Sequence, residues 1–368
     1  MLHLVDKIIL FFINVMFYLS SSEGKTNLQE IVSVSAVLAF GDSFVDQGNN
    51  NYDANSGKAN YAPYGKDLVG GIPTGRFSNG KTLPDFFDYI SEYYISFFSN
   101  SKAEGLGVKA YLPAYLNPFL QDDDLLTGVS FASGGSGYDP ITNKFMSAIP
   151  LSEQLNMFKQ YIGKLETKVG EEVANDIITN SVFLVVASTN DLIITLPKIG
   201  IQDATQYDNM LANMTISFVQ ELYNLGARRI AVFSAPPVGC SPAQRTLFGG
   251  ILRMCAEKLN EAAHLYNTIL KQQLPTIASR LPHSRVAFVD FYNPLIHIID
   301  NPKKYGLEVV NRSCCGTGLI EVNYMCIKHS RTCQDDSKFL FWDNIHLSEI
   351  GCNIFVNQSL PGLMDSLL

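Results

Sequence analysis

The sequence has no basic excess: 27 Lys and Arg stand against 35 Asp and Glu, a formal net charge of −8. Nucleic-acid binders carry a basic excess or stripe that neutralises phosphates. With neither present, phosphate-backbone binding is excluded. Charge of either sign is scarce, at 17% of residues where an average soluble protein has about 25%. Hydrophobic residues make up 46% of the 368. Such a chain can bury a large core, which excludes global disorder. It also lacks an apolar run of the roughly 20 residues needed to cross a membrane. The nearest is Ile8 to Leu19, 12 residues with one Asn, preceded by Lys7 and followed by Ser20, Ser21 and Ser22. A short apolar core followed by small residues is the pattern of a cleaved secretory signal. Residues 1–22 are therefore expected to be removed, leaving 23–368 as one secreted domain with no transmembrane span.

Cysteine is missing from the first 239 residues, and four of the seven fall between 314 and 333. In an oxidising compartment, clustered cysteines form disulfides. Cys240 and Cys255 are placed to close a short loop, and Cys314, Cys315, Cys326 and Cys333 to form two more bridges, in any of three pairings. Cys352 is left over on an apparent C-terminal helix. Paired C-x-x-C spacing is absent, which argues against a zinc site, and no other metal is expected. Three sequons, at Asn213, Asn311 and Asn357, are candidate glycosylation sites on an exported chain.

Short, nearly continuous apolar runs lie at Val32 to Phe40, Val182 to Ala187, Arg229 to Ser234 and Val286 to Phe291. Such runs suit strands buried on both faces, as in a parallel sheet. Helical spacing appears between them. One helix is expected after Ser152 as N-cap, one from about Thr205 to Leu225, one from Leu252 to Leu274 closed by Pro275, and one after Ser348. Alternating strands and helices predict a doubly wound α/β sandwich. Ligands of such sheets sit beyond the carboxyl ends of the strands, which here read Gly41-Asp42-Ser43, Thr189-Asn190-Asp191 and Pro236-Pro237. The aromatic residues of 86–119 read first as helix core and second as the wall of an acyl groove.

Ser43 directly follows the first strand, and a serine hydroxyl needs a base to become a nucleophile. Of the six histidines, His3 lies in the signal, His264 in a helix, His283 and His329 in polar loops, and His297 in an apolar segment that reads as core. His346 stands three residues after Asp343, a spacing at which one turn brings a carboxylate to an imidazole and fixes its tautomer. Oxyanion donors can be backbone N–H groups or a side-chain amide. FASGGSG, Phe131 to Gly137, offers glycine backbone, and Asn190 offers an amide.

Read together, four segments carry a family pattern: FGDSFVDQGNN (Phe40 to Asn50), GVSFASGGSGY (Gly128 to Tyr138), VVASTND (Val185 to Asp191) and FWDNIHLSE (Phe341 to Glu349). TGRFSNGK from Thr74, APPVGCSPAQR from Ala235, CCGTG from Cys314 and TCQDDSKFLFWD from Thr332 follow in register. The chain resembles the plant secreted GDSL esterase/lipase family of the SGNH hydrolases. The resemblance implies a flavodoxin-like three-layer α/β/α sandwich around a mainly parallel sheet. It implies a serine esterase acting on an acyl-ester or lipid small molecule, with no cofactor. Ser43 would be the nucleophile, His346 the base and Asp343 its orienting carboxylate. The Ser43 and Gly135 N–H groups and the Asn190 side chain would bind the oxyanion. An acyltransferase using the same site and a catalytically silent secreted glycoprotein are the alternatives. The cysteines from Cys314 to Cys333 are expected to staple the insertion that leads into Asp343 and His346. Three residues depart from the pattern: Ser188 for a glycine, Ser130 for an asparagine and Leu347 for a proline. If the backbone at 188 needs φ > 0, a non-glycine residue there costs about 1–2 kcal/mol.

Overall fold

The computed structural model describes residues 34–87, 111–200, 204–318, 320–322 and 326–368. The signal segment, and residues 88–110 of the aromatic-rich stretch, lie outside them. Five strands form one sheet: β1 (Val37–Gly41), β2 (Gly128–Ser130), β3 (Val182–Val186), β4 (Arg229–Phe233) and β5 (Arg285–Val289). Their order is β2-β1-β3-β4-β5 and every pairing is parallel. Leu38 faces Val129 on one side and Phe183 on the other. The near-absence of polar residues in these strands is what burial on both faces requires.

Alternation along each strand divides the core in two. Leu38, Phe40, Phe183, Val185, Ile230 and Val232 point to one cluster, completed by the helices Leu151–Val169, Ala204–Asn224 and Glu257–Ala278. Val37, Ala39, Leu184, Val186, Ala231 and Phe233 point to the other, completed by Asn293–Asp300 and Glu349–Leu367. The result is the expected α/β/α sandwich. A strand order that reverses beside β1 leaves a crevice at the carboxyl ends of β1 and β3, and Ser43 and Asn190 stand just past those ends.

Three cysteine bridges are present: Cys240–Cys255, Cys314–Cys333 and Cys315–Cys326. Cys352 is free and buried, and burial pushes its thiol pKa up. A second, two-stranded parallel pair, β6 (Val309–Ser313) with β7 (Phe339–Phe341), carries the chain toward His346. The Cys314 and Cys315 N–H groups donate to the Phe341 and Trp342 carbonyls at 3.0 and 2.7 Å. The bridged insertion is thus clamped to the strand that enters the Asp343 turn. Among the described residues no helix is long and apolar enough to cross a membrane.

Several local expectations are corrected. The first strand starts at Val37, so residues 34–36 of the expected run precede it, and 32–33 lie outside the described residues. Pro150, not Ser152, occupies the N-cap of its helix, and no side chain caps it. Pro275 lies inside the Glu257–Ala278 helix instead of closing it. Lys271 and Pro275 share the exposed face, so the carbonyl that loses its partner there can bond to water. The same helix starts at Glu257 because 249–255 form a loop that the Cys240–Cys255 bridge closes. His297 is exposed beside Asn301, Lys304 and Tyr305, and is not a core residue. Of the aromatic residues in 86–119 that are described, Phe87 and Tyr115 are core, as expected, and Phe119 is exposed.

One buried carboxyl has a consequence for stability. Asp208, on the Ala204–Asn224 helix, is fully buried and neither oxygen has a hydrogen-bond partner among the described residues. Burial raises its pKa to about 7, against about 4 in an unfolded chain. Between those values the unfolded state ionises more readily, so the residue's cost to folding grows as pH rises through that window and vanishes below it. Asp208→Asn is expected to raise the melting temperature by several degrees at about pH 7.5 and hardly at all near pH 4. Scanning calorimetry at the two pH values checks this; an equal shift at both would contradict it.

Candidate active site

Gly41 ends β1 at φ +132°, and a Cβ there would lie 1.7 Å from the Val186 carbonyl oxygen. Only glycine fits so close to β3. Buried Gln154 holds the same point, accepting from Gly41 N–H at 2.8 Å and donating to its carbonyl at 2.9 Å. Asp42 N–H then bonds to Val186 O, and the Asp42 carboxylate accepts from Phe44 N–H. The resulting turn lifts Ser43 off the end of the strand.

His346 Nε2 lies 2.7 Å from Ser43 Oγ, across 303 residues of sequence. Its Nδ1 is 2.8 and 2.9 Å from the two Asp343 oxygens. Asp343 Oδ1 also accepts from the Ile345 and His346 N–H groups, at 2.9 and 2.7 Å. The D-x-x-H segment is therefore a carboxylate-closed turn. It is not the start of a helix, which comes later, with Ser348 as N-cap. Leu347, at the departure from proline, uses its buried side chain to pack in the second core cluster. Burial works to raise the Asp343 pKa, but the His346 charge and these hydrogen bonds outweigh it and hold the carboxyl below its ordinary value. Asp343 thus stays ionised and keeps the His346 proton on Nδ1, leaving Nε2 free to accept one.

Three residues given no role by the sequence complete this arm. Tyr64 donates its hydroxyl to Asp343 Oδ2 at 2.7 Å. Phe77 packs on the His346 ring with centroids 5.0 Å apart. Its neighbour Arg76 is locked by a buried bidentate pair with Asp85, at 2.8 and 3.0 Å. TGRFSNGK carried Arg76 and Phe77, but nothing local in the sequence links them to a histidine some 270 residues later.

The loops bearing Gly135 and Asn190 are held by buried carboxylates. Asp46 accepts from Gly48, Asn49 and Gly134 N–H. Asn49 donates to the Ser130 and Ala132 carbonyls, and Asn50 to that of Gly134. Asp191 accepts from Tyr138 and Asp139 N–H and from the Thr142 hydroxyl. Gly135 has φ +93°, and a Cβ there would meet Met146 at 2.8 Å. Asn190 Nδ2 donates to Ser136 O at 2.9 Å, which uses one of its two N–H bonds. Among the described residues, none accepts a hydrogen bond from the Ser43 or Gly135 N–H. Buried amides without acceptors are rare, so both N–H groups can donate to an anion as a partner. Ser130, at the departure from asparagine, donates to Val45 O at 2.6 Å and so still ties the second segment to the first.

Ser188 has φ +94° and is buried. The departure from glycine therefore falls where glycine is favoured. Ser188→Gly is expected to stabilise the fold by about 1 kcal/mol, a shift of about 1–2 °C in Tm. It should not lower kcat, because it relaxes the backbone leading to Asn190. A fall in Tm would show that the serine is accommodated without strain.

A family model described as GDSL-like Lipase/Acylhydrolase matches residues 37–358. A GDSL esterase/lipase of Arabidopsis thaliana is 46% identical over 348 residues, which cover 94% of this chain and 90% of the relative. A second from the same plant is 45% identical over 331 residues, 89% and 90% of the two chains. A third is 42% identical over 361 residues, 98% and 97% of the two.

Proposed function

The chain belongs to the GDSL-like lipase/acylhydrolase family and is a carboxylic ester hydrolase, and on that premise we propose that it works through an acyl-enzyme formed on Ser43 after export from the cell. The observation that carries this reading is the continuous chain from Ser43 Oγ to His346 Nε2 and from His346 Nδ1 to Asp343, at 2.7 and 2.8 Å.

Ser43 Oγ attacks the ester carbonyl as His346 Nε2 takes its proton. Negative charge develops on the carbonyl oxygen and is met by the Ser43 and Gly135 N–H groups and the Asn190 amide. The tetrahedral adduct collapses, His346 returns the proton to the departing alcohol, and the acyl group remains on Ser43. Water, deprotonated by the same nitrogen, then releases the acid and restores the hydroxyl.

A small apolar recess, with free space of about 20 Å³, is lined by residues next in sequence to the proposed catalytic groups, and its apolar character supports an acyl or lipid ester as substrate. Its walls include Phe44, Thr189, Val238, Leu295, Ile345 and Leu347. Phe44 follows Ser43, Thr189 precedes Asn190, and Ile345 and Leu347 flank His346. Apolar walls around a few convergent polar groups are what a ligand site requires. Export is supported by the Ile8–Leu19 run and by three disulfides, which persist in oxidising compartments. The reading is tested with purified protein on nitrophenyl esters of increasing acyl length, with and without an added alcohol. Free acid should be the main product. Transfer to the alcohol in preference to water would favour an acyltransferase, and a folded protein inert to every ester would refute the mechanism.

A further inference from the structure

The helix Pro242–Phe248 starts at the catalytic loop, where Ala243 N–H donates to Asn344 O at 2.9 Å, two residues from His346. Seven helical residues carry the chain about 10 Å outward. It then doubles back through 249–254, closed by Gly249 N–H to Arg245 O and Met254 N–H to Gly249 O, both at 3.0 Å. Every exposed residue of this tip is apolar: Leu247, Phe248, Gly250, Ile251, Leu252 and Met254. Ile251 is fully exposed, at 101%, and Leu252 is 79% exposed. Exposed Ile320 belongs to the same surface, since the next residue's N–H donates to the Thr246 hydroxyl at 3.2 Å. Single exposed apolar residues are common, but a contiguous group marks an interaction surface.

The tip is braced from behind. Cys240–Cys255 closes its base. Arg253 turns inward to the Asn311 carbonyl and pairs with buried Glu321. Arg245 donates to the Cys240 and Arg253 carbonyls, both at 2.7 Å. Both cations of the segment are thus withdrawn from the tip, and no Asp or Glu occurs between Glu221 and Glu257. A charged partner has nothing here to pair with. An uncharged apolar surface matches the tip in charge and hydropathy alike.

We propose that this tip docks on the surface of an aggregated, uncharged ester lipid and so sets the catalytic loop against it. The proposal goes beyond the ester-hydrolase reading and rests on it only for why such a surface would be sought. Apolar side chains entering the lipid would hold the protein at the interface.

The test compares the wild-type protein with Ile251→Ser/Leu252→Ser, and with Ile251→Lys as a second variant. Flotation is measured with phosphatidylcholine vesicles loaded with triolein, and activity on soluble nitrophenyl acetate. Removing two exposed aliphatic side chains should weaken vesicle binding about a hundredfold, with kcat/KM on the soluble ester and Tm unchanged. Equal binding by all three proteins, or no binding by the wild type, overturns the proposal. So does a wild-type dimer that the variants convert to monomer, which would make the tip a self-association face. If no protein hydrolyses the soluble ester, the hydrolase mechanism fails, while flotation still decides the docking.

Discussion

Ser43→Ala is expected to lower kcat on a soluble acyl ester by about 10⁴- to 10⁶-fold, the range seen when a serine nucleophile is removed from a triad. Stability should stay within about 0.5 kcal/mol of the wild type. The two effects separate because, among the described residues, the Ser43 hydroxyl is hydrogen-bonded to His346 Nε2 alone. Its removal leaves an imidazole nitrogen facing the substrate crevice, where water can replace the lost partner. The Ser43 N–H remains in the alanine variant, so oxyanion binding persists and KM should change little. Matched melting curves with steady-state kinetics check the prediction. A loss below about tenfold would show that Ser43 is not the group acylated.

Asp343→Asn should lower kcat by about 10⁴-fold, by analogy with the same change in the serine-protease triad. Asp343 accepts four hydrogen-bond donors: two backbone N–H groups, the Tyr64 hydroxyl and His346 Nδ1. An amide offers one acceptor oxygen and sets an NH2 against the rest. If that NH2 faces His346, the imidazole must turn its proton to Nε2 and can no longer take one from Ser43. Tyr64→Phe is the informative control. It removes one donor to the carboxylate and leaves the tautomer intact, so kcat should fall by about tenfold or less. If the two substitutions cost the same, Asp343 acts by packing and not by fixing the proton.

Much of this arrangement was legible in the sequence, for identifiable reasons. β1, β3, β4 and β5 are apolar on both faces, and a continuous run of four to six apolar residues signals that without help. β2 has only three residues, Gly128–Ser130, and gains its identity from pairing with Val37 to Ala39. β7 is likewise three residues long, and β6, Val309–Ser313, is not a continuous apolar run; the two pair with each other next to the bridged insertion. Ser43, His346, Asp343 and the cysteines stood in motifs that could be read locally. Tyr64 stood in no quoted motif, and Arg76 and Phe77 stood in TGRFSNGK with no role attached. Their roles depend on contacts across hundreds of residues, which leave no periodicity or spacing in either segment. His297 misled because an apolar stretch of five says nothing about which face of a helix its middle residue takes. The glycine-to-serine departure at 188 was the opposite case: the sequence raised the question of a positive φ, and the structure supplies it.

The family pattern also contained more than it declared. Asp46, Asn49 and Asn50 follow Ser43 within one quoted block, and Asp191 follows Asn190 within another. In the fold their hydrogen bonds tie together the loops that carry Ser43, Gly135 and Asn190, the donors proposed for the oxyanion. Burial raises the Asp46 pKa to about 6 and the Asp191 pKa to about 7, against the backbone N–H bonds that lower them. Placing charge-capable groups there is costly, and the hydrogen bonds they accept hold the loops bearing Gly135 and Asn190 in place.

The most direct measurement of the central claim is covalent labelling with a fluorophosphonate, followed by intact mass and peptide mapping. An activated Ser43 predicts one adduct per chain, on the peptide containing Ser43, and none in the Ser43→Ala protein. An adduct on another serine, or no adduct on a folded wild-type protein, would contradict it.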